Sequence, residues 1–325
     1  MRPFGNSIPE KNKSHKLVPL QQARQSPFPT PVKPAPPPRL PGIHQYDDID
    51  IGQVRTFIDW TPFFLSWELR GKFPAILSDP EKGAEATALF NDAQAILDVI
   101  EAKRLLTLRA VCGIFPCWRT QDDVEVQGYT LNFLRQQTLR ATGTPYLSLA
   151  DFIAPGSDHI GAFVVTAGHG VQELVKTYTA ENDDYKAIMV KAMADRLAEA
   201  TAEWLHHRVR TDLWGYARGE ALTNEQLIAE AYTGIRPAPG YPACPDHTEK
   251  HKLFALLGAQ QRTGVELSES LVMMPAASVC GYYIASEHAR YFGISQIGED
   301  QLEDYARRKN MDISDIRRWL SQLLV

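Results

Sequence analysis

No run of about 18 apolar residues occurs in the chain of 325, so no segment of it reads as a membrane span. The N-terminal MRPFGNSIPEKNKSHK lacks the apolar core of a secretory leader, which points to a cytoplasmic protein. Cysteine is scarce and poorly spaced for chemistry. Cys112, Cys117, Cys244 and Cys280 include no CxxC pair, which argues for reduced thiols and against a disulfide framework or a zinc site. Excess positive charge is missing too: a formal net charge of −5, without any basic cluster, gives no reason to expect nucleic acid. Nor is there a dinucleotide fingerprint, because the GHG of Gly168–Gly170 has no third glycine and no acid at about 20 positions on. A zincin helix fails similarly. His247 and His251 have the right spacing, but Thr248 stands where the glutamate belongs.

What remains is an ordinary globular composition, 44% hydrophobic and 22% charged, with enough length for a substantial core. Residues 1–50 stand apart. The stretch SPFPTPVKPAPPPRLP, Ser26 to Pro41, holds eight prolines, each fixing φ and removing a donor, so it is expected to be an extended linker or a strap. Residues 51–325 read as the domain itself. A capping box of Ser78 with Glu81, followed by one apolar face from Leu89 to Ile100, predicts a long helix. Strands are expected at 108–115, 123–128, 145–153 and 159–168, with a second long helix over 183–210. Thr223 and Gln226 mark a short helix, and residues 248–260 suggest another. Two strands within 271–294 and two helices, at about 299–309 and 314–323, close the chain. Strands in groups between long helices, without βαβ alternation, indicate an α+β fold with a mostly antiparallel sheet.

Three features carry candidate chemistry. Asp195, Glu199 and Glu203 recur every four residues and share a helix face, which is ordinarily a solvated face, as is that of His206 and His207. Asp59 stands among Trp60, Phe63, Phe64 and Trp67, where an acid needs a partner: a protein cation, or the ammonium group of a ligand. The third is RPAPGYPACPDHTEK, Arg236 to Lys250. Its four prolines exclude helix and central strand, leaving a rigid loop. Such a loop is either a stiff connection or a means of presenting Arg236, and free backbone beside Gly240, without an ordering cost.

These segments together resemble a known family. IDWTPFF (58–64), LADF followed by AP (149–155), DDYKAIMVKAMADRLAEA (183–200), the Arg236 loop, ASVCGYYI (277–284) and QLEDYARRK (301–309) are similar, in order, to the activation domain of cobalamin-dependent methionine synthase. The motif R-x-x-x-G-Y-P, here Arg236 to Pro242, is that family's mark for S-adenosylmethionine. The resemblance implies a single α+β domain with a twisted antiparallel sheet, flanking helices and a shallow ligand groove. It implies that Arg236 takes the ligand carboxylate, Asp59 the α-ammonium, and the backbone at Ala238 and Tyr241 the adenine, with Gly240 among the binding residues. Tyr291 and the next residue would line the site; that residue is Phe292, where relatives commonly carry tyrosine. Glu199 and Glu230 correspond to family acids near the groove.

The implied activity is reductive reactivation within methionine biosynthesis, a methyltransferase function. S-adenosylmethionine would supply a methyl group to cob(I)alamin held by a cobalamin-binding domain or subunit, with the electron from flavodoxin or an equivalent reductase. The signature D-x-H-x-x-G is absent, since Asp158-His159-Ile160-Gly161 has the wrong spacing. The chain is therefore not expected to bind cobalamin in the family's manner or to make methionine alone. It reads as a free-standing subunit or a piece of a longer enzyme. The competing reading is a non-catalytic domain that senses S-adenosylmethionine or docks a partner.

Overall fold

The protein is described by a computed structural model covering residues 16–26, 28 and 32–324. The N-terminal stretch read as leader-free, up to residue 15, and positions 27 and 29–31 of the Pro-rich run lie outside the described residues. Eight strands are seen among them: β1 Gly42–Tyr46, β2 Thr107–Thr120, β3 Asp123–Val126, β4 Tyr129–Asn132, β5 Gly156–His169, β6 Glu266–Leu267, β7 Met273–Met274 and β8 Ser278–Tyr283. The main sheet runs β4-β3-β2-β5-β8, antiparallel throughout, and β1 adds to β2. β1 faces residues 110–114 of β2, and β3 faces residues 117–120, so these two short strands occupy successive stretches of the long one. A register shift between Thr107 and Arg109 breaks the β2–β5 ladder, the kind of irregularity that bends and twists a sheet. The fold is α+β, a curled antiparallel sheet with flanking helices.

Alternation along the strands gives the sheet two buried faces. Phe163 and Val165 of β5 and Tyr283 of β8 join the core formed with Met189, Met193 and Leu197 of helix Asp184–Arg208. Ala162 and Val164 of β5, with Cys280 and Tyr282 of β8, face the opposite way onto Leu253, Phe254 and Leu257 of helix Glu249–Leu257. β5 reads as a nearly continuous apolar run, as a strand covered on both faces must.

Several expectations are corrected. Residues 145–153 form no strand. Leu149–Phe152 is a 3-10 turn, because Ser148 and Asp151 make a reciprocal capping box. The Ser78–Glu81 box does not form either: Ala75–Ser78 turns as 3-10 and the Asp79 carboxylate takes the N–H groups of Glu81 and Lys82, ahead of helix Gly83–Lys103. The box at Thr223 and Gln226 is present and starts helix Asn224–Ile228. The chain closes with helices Glu299–Lys309 and Ile313–Trp319.

Two arrangements position the candidate site. The outer edge of β8 is taken by the Arg236 loop: Ile235 and Ile284 exchange backbone hydrogen bonds at 3.0 Å, and Tyr282 donates to the Pro237 carbonyl at 2.8 Å. Prolines suit that place, since an edge segment need not donate on its free side. The long helix continues into a π-helical turn, Val209–Leu213, which carries Arg210 into the interior.

Candidate ligand site

Arg236 is the centre of the site and only 7% exposed. Its backbone N–H donates to the Tyr291 hydroxyl at 3.0 Å, and Pro237 is bonded to β8, so the main chain is held on both sides. Its Nη1 donates to Glu203 Oε2 in a very short contact, to the Tyr232 hydroxyl at 3.0 Å and to His206 Nδ1 at 3.2 Å. Among the described residues, every hydrogen bond of this guanidinium is made by Nη1. Nε and Nη2 form an edge left over from the protein's own bonding. Burial works against the charge, but Glu203, Tyr232, Tyr291 and Glu199 outweigh it and hold Arg236 well above its ordinary pKa. It is a permanent cation.

Glu203 does not lie on a solvated face. It is buried, and its Oε1 accepts from Arg210 Nη1 at 3.4 Å. Arg210, fully buried, grips Glu220 through Nε at 2.9 Å and Nη2 at 2.7 Å and lies 4.2 Å over the Tyr232 ring. His206 is likewise fully buried rather than polar-facing, stacked on Tyr283 with ring centroids 5.2 Å apart. Burial, then Arg210 and Arg236, push its pKa well below the usual value, so it stays neutral and accepts from Arg236. Asp195, the first acid of that face, is the exposed one.

The loop beyond Arg236 folds back on itself. Tyr241 donates to the Ala238 carbonyl at 3.1 Å, Cys244 to that of Tyr241 at 2.9 Å, and Gly240 to that of Cys244 at 2.7 Å. Gly240 has φ +95°, which favours glycine, and a Cβ there would meet His247 Cε1 at 2.2 Å and force that ring to move. Glu199, Gly240, Tyr241, His247 and Lys250 line a solvent-open cleft of about 110 Å³. Ala238 is buried beneath the turn, and Tyr241 is 40% exposed.

The remaining candidates lie around this core to differing degrees. Asp59 is half-buried, and its Oδ1 accepts from Thr61 N–H at 2.9 Å while Trp60 packs on Phe63 and Phe90. Its stretch meets its surroundings where Ile58 accepts from Asn224 at 3.2 Å and Phe57 lies 5.9 Å from the His207 ring, and among the described residues no hydrogen bond or ion pair joins Asp59 to Arg236. Glu230, at φ +58°, is near enough to act electrostatically on Tyr291. Phe292 points elsewhere, its ring against Phe152 at 6.2 Å.

A family model described as vitamin B12 dependent methionine synthase, activation domain, matches residues 50–310. The chain belongs to that family. The crystal structure of the MetH reactivation domain bound to AdoHcy is similar at a TM-score of 0.91 and 45% identity, covering 95% of this chain and 98% of that one.

Within this activation domain, a cation offering a two-donor edge can receive a carboxylate bidentately. The open cleft beside it suits a flat, partly solvated group. Sequence reading missed Tyr232 and Arg210, and it weighed His247 only against a zincin helix and Lys250 only as the end of the rigid loop. The only sequence signal for Arg210 was its spacing of seven from Glu203, which returns it to the same face after two turns. Among the described residues, no helix is long and apolar enough to cross a membrane.

Proposed function

We propose that this activation domain binds S-adenosylmethionine and presents its methyl group to cob(I)alamin held by a partner domain or subunit, reactivating methionine synthase in the cytoplasm. Flavodoxin or an equivalent reductase supplies the electron. The methyl group is the chemistry that S-adenosylmethionine supplies when bound; the residues of the chain bind and orient. The observation that carries the reading is Arg236, anchored through Nη1 alone with Nε and Nη2 left as a fork for the ligand carboxylate. Asp59 pairs with the α-ammonium, and the backbone of Ala238, Gly240 and Tyr241 meets the adenine. Tyr291 fixes the Arg236 main chain, and Glu199 and Glu230 add negative charge that suits a sulfonium, while Phe292, turned toward Phe152, takes no part in the site.

Calorimetric titration with S-adenosylmethionine and AdoHcy tests the binding step. Arg236→Lys keeps a cation for Glu203 but loses the fork; at about 1.5–3 kcal/mol for hydrogen bonds to a charged group, affinity falls roughly tenfold to a hundredfold. Asp59→Asn weakens binding with little change in melting temperature. Unchanged affinity in both variants sinks the assignment. With a partner trapped as cob(II)alamin and a one-electron reductant, the wild-type chain restores the methylated cofactor, followed by visible absorption. Binding without that restoration favours a sensing or docking domain instead.

A further inference from the structure

We propose that Glu203, itself held by Arg210, which Glu220 fixes in turn, is a positioning residue that sets the plane of the Arg236 guanidinium for the ligand's amino-acid carboxylate. The proposal rests on the function argued above and names how that site obtains its specificity for an amino-acid terminus.

The main chain at Arg236 is fixed by Pro237, by the bond to Tyr282 and by the Tyr291 hydroxyl. That leaves the orientation of a long, rotamer-rich side chain to be settled. Glu203 settles it. One carboxylate oxygen faces Arg236 Nη1 and the other faces Arg210 Nη1, so the carboxylate cannot turn without losing a cation. Arg210 is fixed in turn by hydrogen bonds from Nε and Nη2 to Glu220 and by lying over the Tyr232 ring, whose hydroxyl also meets Arg236. Glu220, Arg210, Glu203 and Arg236 thus form a buried row of alternating charge ending on the unused guanidinium edge. Neither Arg210 nor Glu220 lines the cleft.

The test separates orientation from mere folding by using two ligands. AdoHcy carries the amino-acid group; 5′-methylthioadenosine keeps the adenosine and the sulfur and lacks it. For Glu203→Gln, which keeps the reach but not the charge, affinity for AdoHcy falls about tenfold while that for 5′-methylthioadenosine changes less than about twofold. Glu220→Gln, which loosens Arg210 without touching Arg236, produces the same selective loss at a smaller size and carries the test if Glu203→Gln fails to fold. Equal losses for both ligands assign the row a structural role and overturn the proposal, as does the absence of any loss. If the wild-type chain binds neither ligand, the binding function itself is wrong, an outcome distinct from a wild type that binds and variants that show no selectivity.

Discussion

Residues 16–26 lie along the domain like a strap, and cutting them tests whether they belong to it. Val18 donates to the Gln137 carbonyl at 2.9 Å, Leu139 to that of Lys16 at 2.8 Å, and Leu20 N–H to Asp300 at 2.6 Å. Val18, Leu20 and Ala23 are buried there, and Arg24 reaches Asp122 at 2.8 Å and Asp304 at 2.6 Å. Burying a valine and a leucine side chain contributes about 1.5–3 kcal/mol each, an upper estimate because the unfolded chain is not fully extended. Arg24→Ala loses hydrogen bonds to charged groups, about 1.5–3 kcal/mol, but does not orphan Asp122, which keeps Arg135. Deleting residues 1–25 should therefore cost roughly 5 kcal/mol or more, a large part of a usual 5–15 kcal/mol stability. Arg24→Ala alone should cost about 2 kcal/mol. Urea unfolding reads both as a lowered midpoint at constant slope. AdoHcy affinity, measured where the chain remains folded, should be unchanged, since these contacts go to residues 122, 137, 139, 300 and 304, none of which lines the cleft. An unaltered midpoint after the deletion refutes the reasoning and makes the segment a spacer.

Gly240→Ala forces a side chain into φ +95° and onto the His247 ring, so it should destabilise by about 1–3 kcal/mol and weaken AdoHcy binding, read by thermal melting and calorimetry; a variant equal to wild type in both refutes it. His206 is depressed in the folded state, so its neutral form is favoured there and the unfolded chain binds more protons below the ordinary pKa. Its stability contribution is complete above about pH 6.5 and is lost as the pH falls below that value, with a slope of up to about 1.4 kcal/mol per unit. His206→Gln should flatten the wild-type fall between about pH 6.5 and 5 by this share; identical slopes in the two proteins count against a buried neutral imidazole.

The parts of this molecule legible in its sequence are those set by local chemistry. Proline spacing announced the rigid loop at Arg236, and Thr223 with Gln226 announced a capped turn. Grouped strands between long helices announced the antiparallel α+β fold. The failures share a cause. PYLSLADFI has strand-like residues, yet Ser148 and Asp151 satisfy the local N–H groups and win the segment for a turn. Helix Asp184–Arg208 is buried on so much of its circumference that periodicity could not separate a wet face from a dry one. The acids at 195, 199 and 203 looked equivalent for that reason. Only the fold, which brings Arg236 to a residue 33 positions away, made Glu203 an interior counter-ion while Asp195 stayed exposed.

The two buried arginines outside that row's interior show why saturation matters more than burial. Arg135 is also nearly inaccessible, and it is spent completely. Nε and Nη2 meet Asp122, Nη1 and Nη2 meet Asp151, and Nη1 also takes the Tyr146 carbonyl at 2.6 Å. With every edge of its guanidinium engaged, it can only join pieces of the protein: the turn at Ser148, the turn between β2 and β3 and, through Asp122, the strap at Arg24. Arg236 has the same chemistry and a similar burial, but its protein partners converge on one nitrogen. Burying charge is a weak source of stability, because desolvation offsets much of the attraction. A fully paired cluster is nonetheless explicable as a fastener between segments distant in the chain. A buried arginine held firmly at one corner, with its carboxylate-matching edge unspent, is not well explained that way. Its geometry fits a ligand that brings its own carboxylate, and the row through Glu203, Arg210 and Glu220 keeps that edge aimed before the ligand arrives.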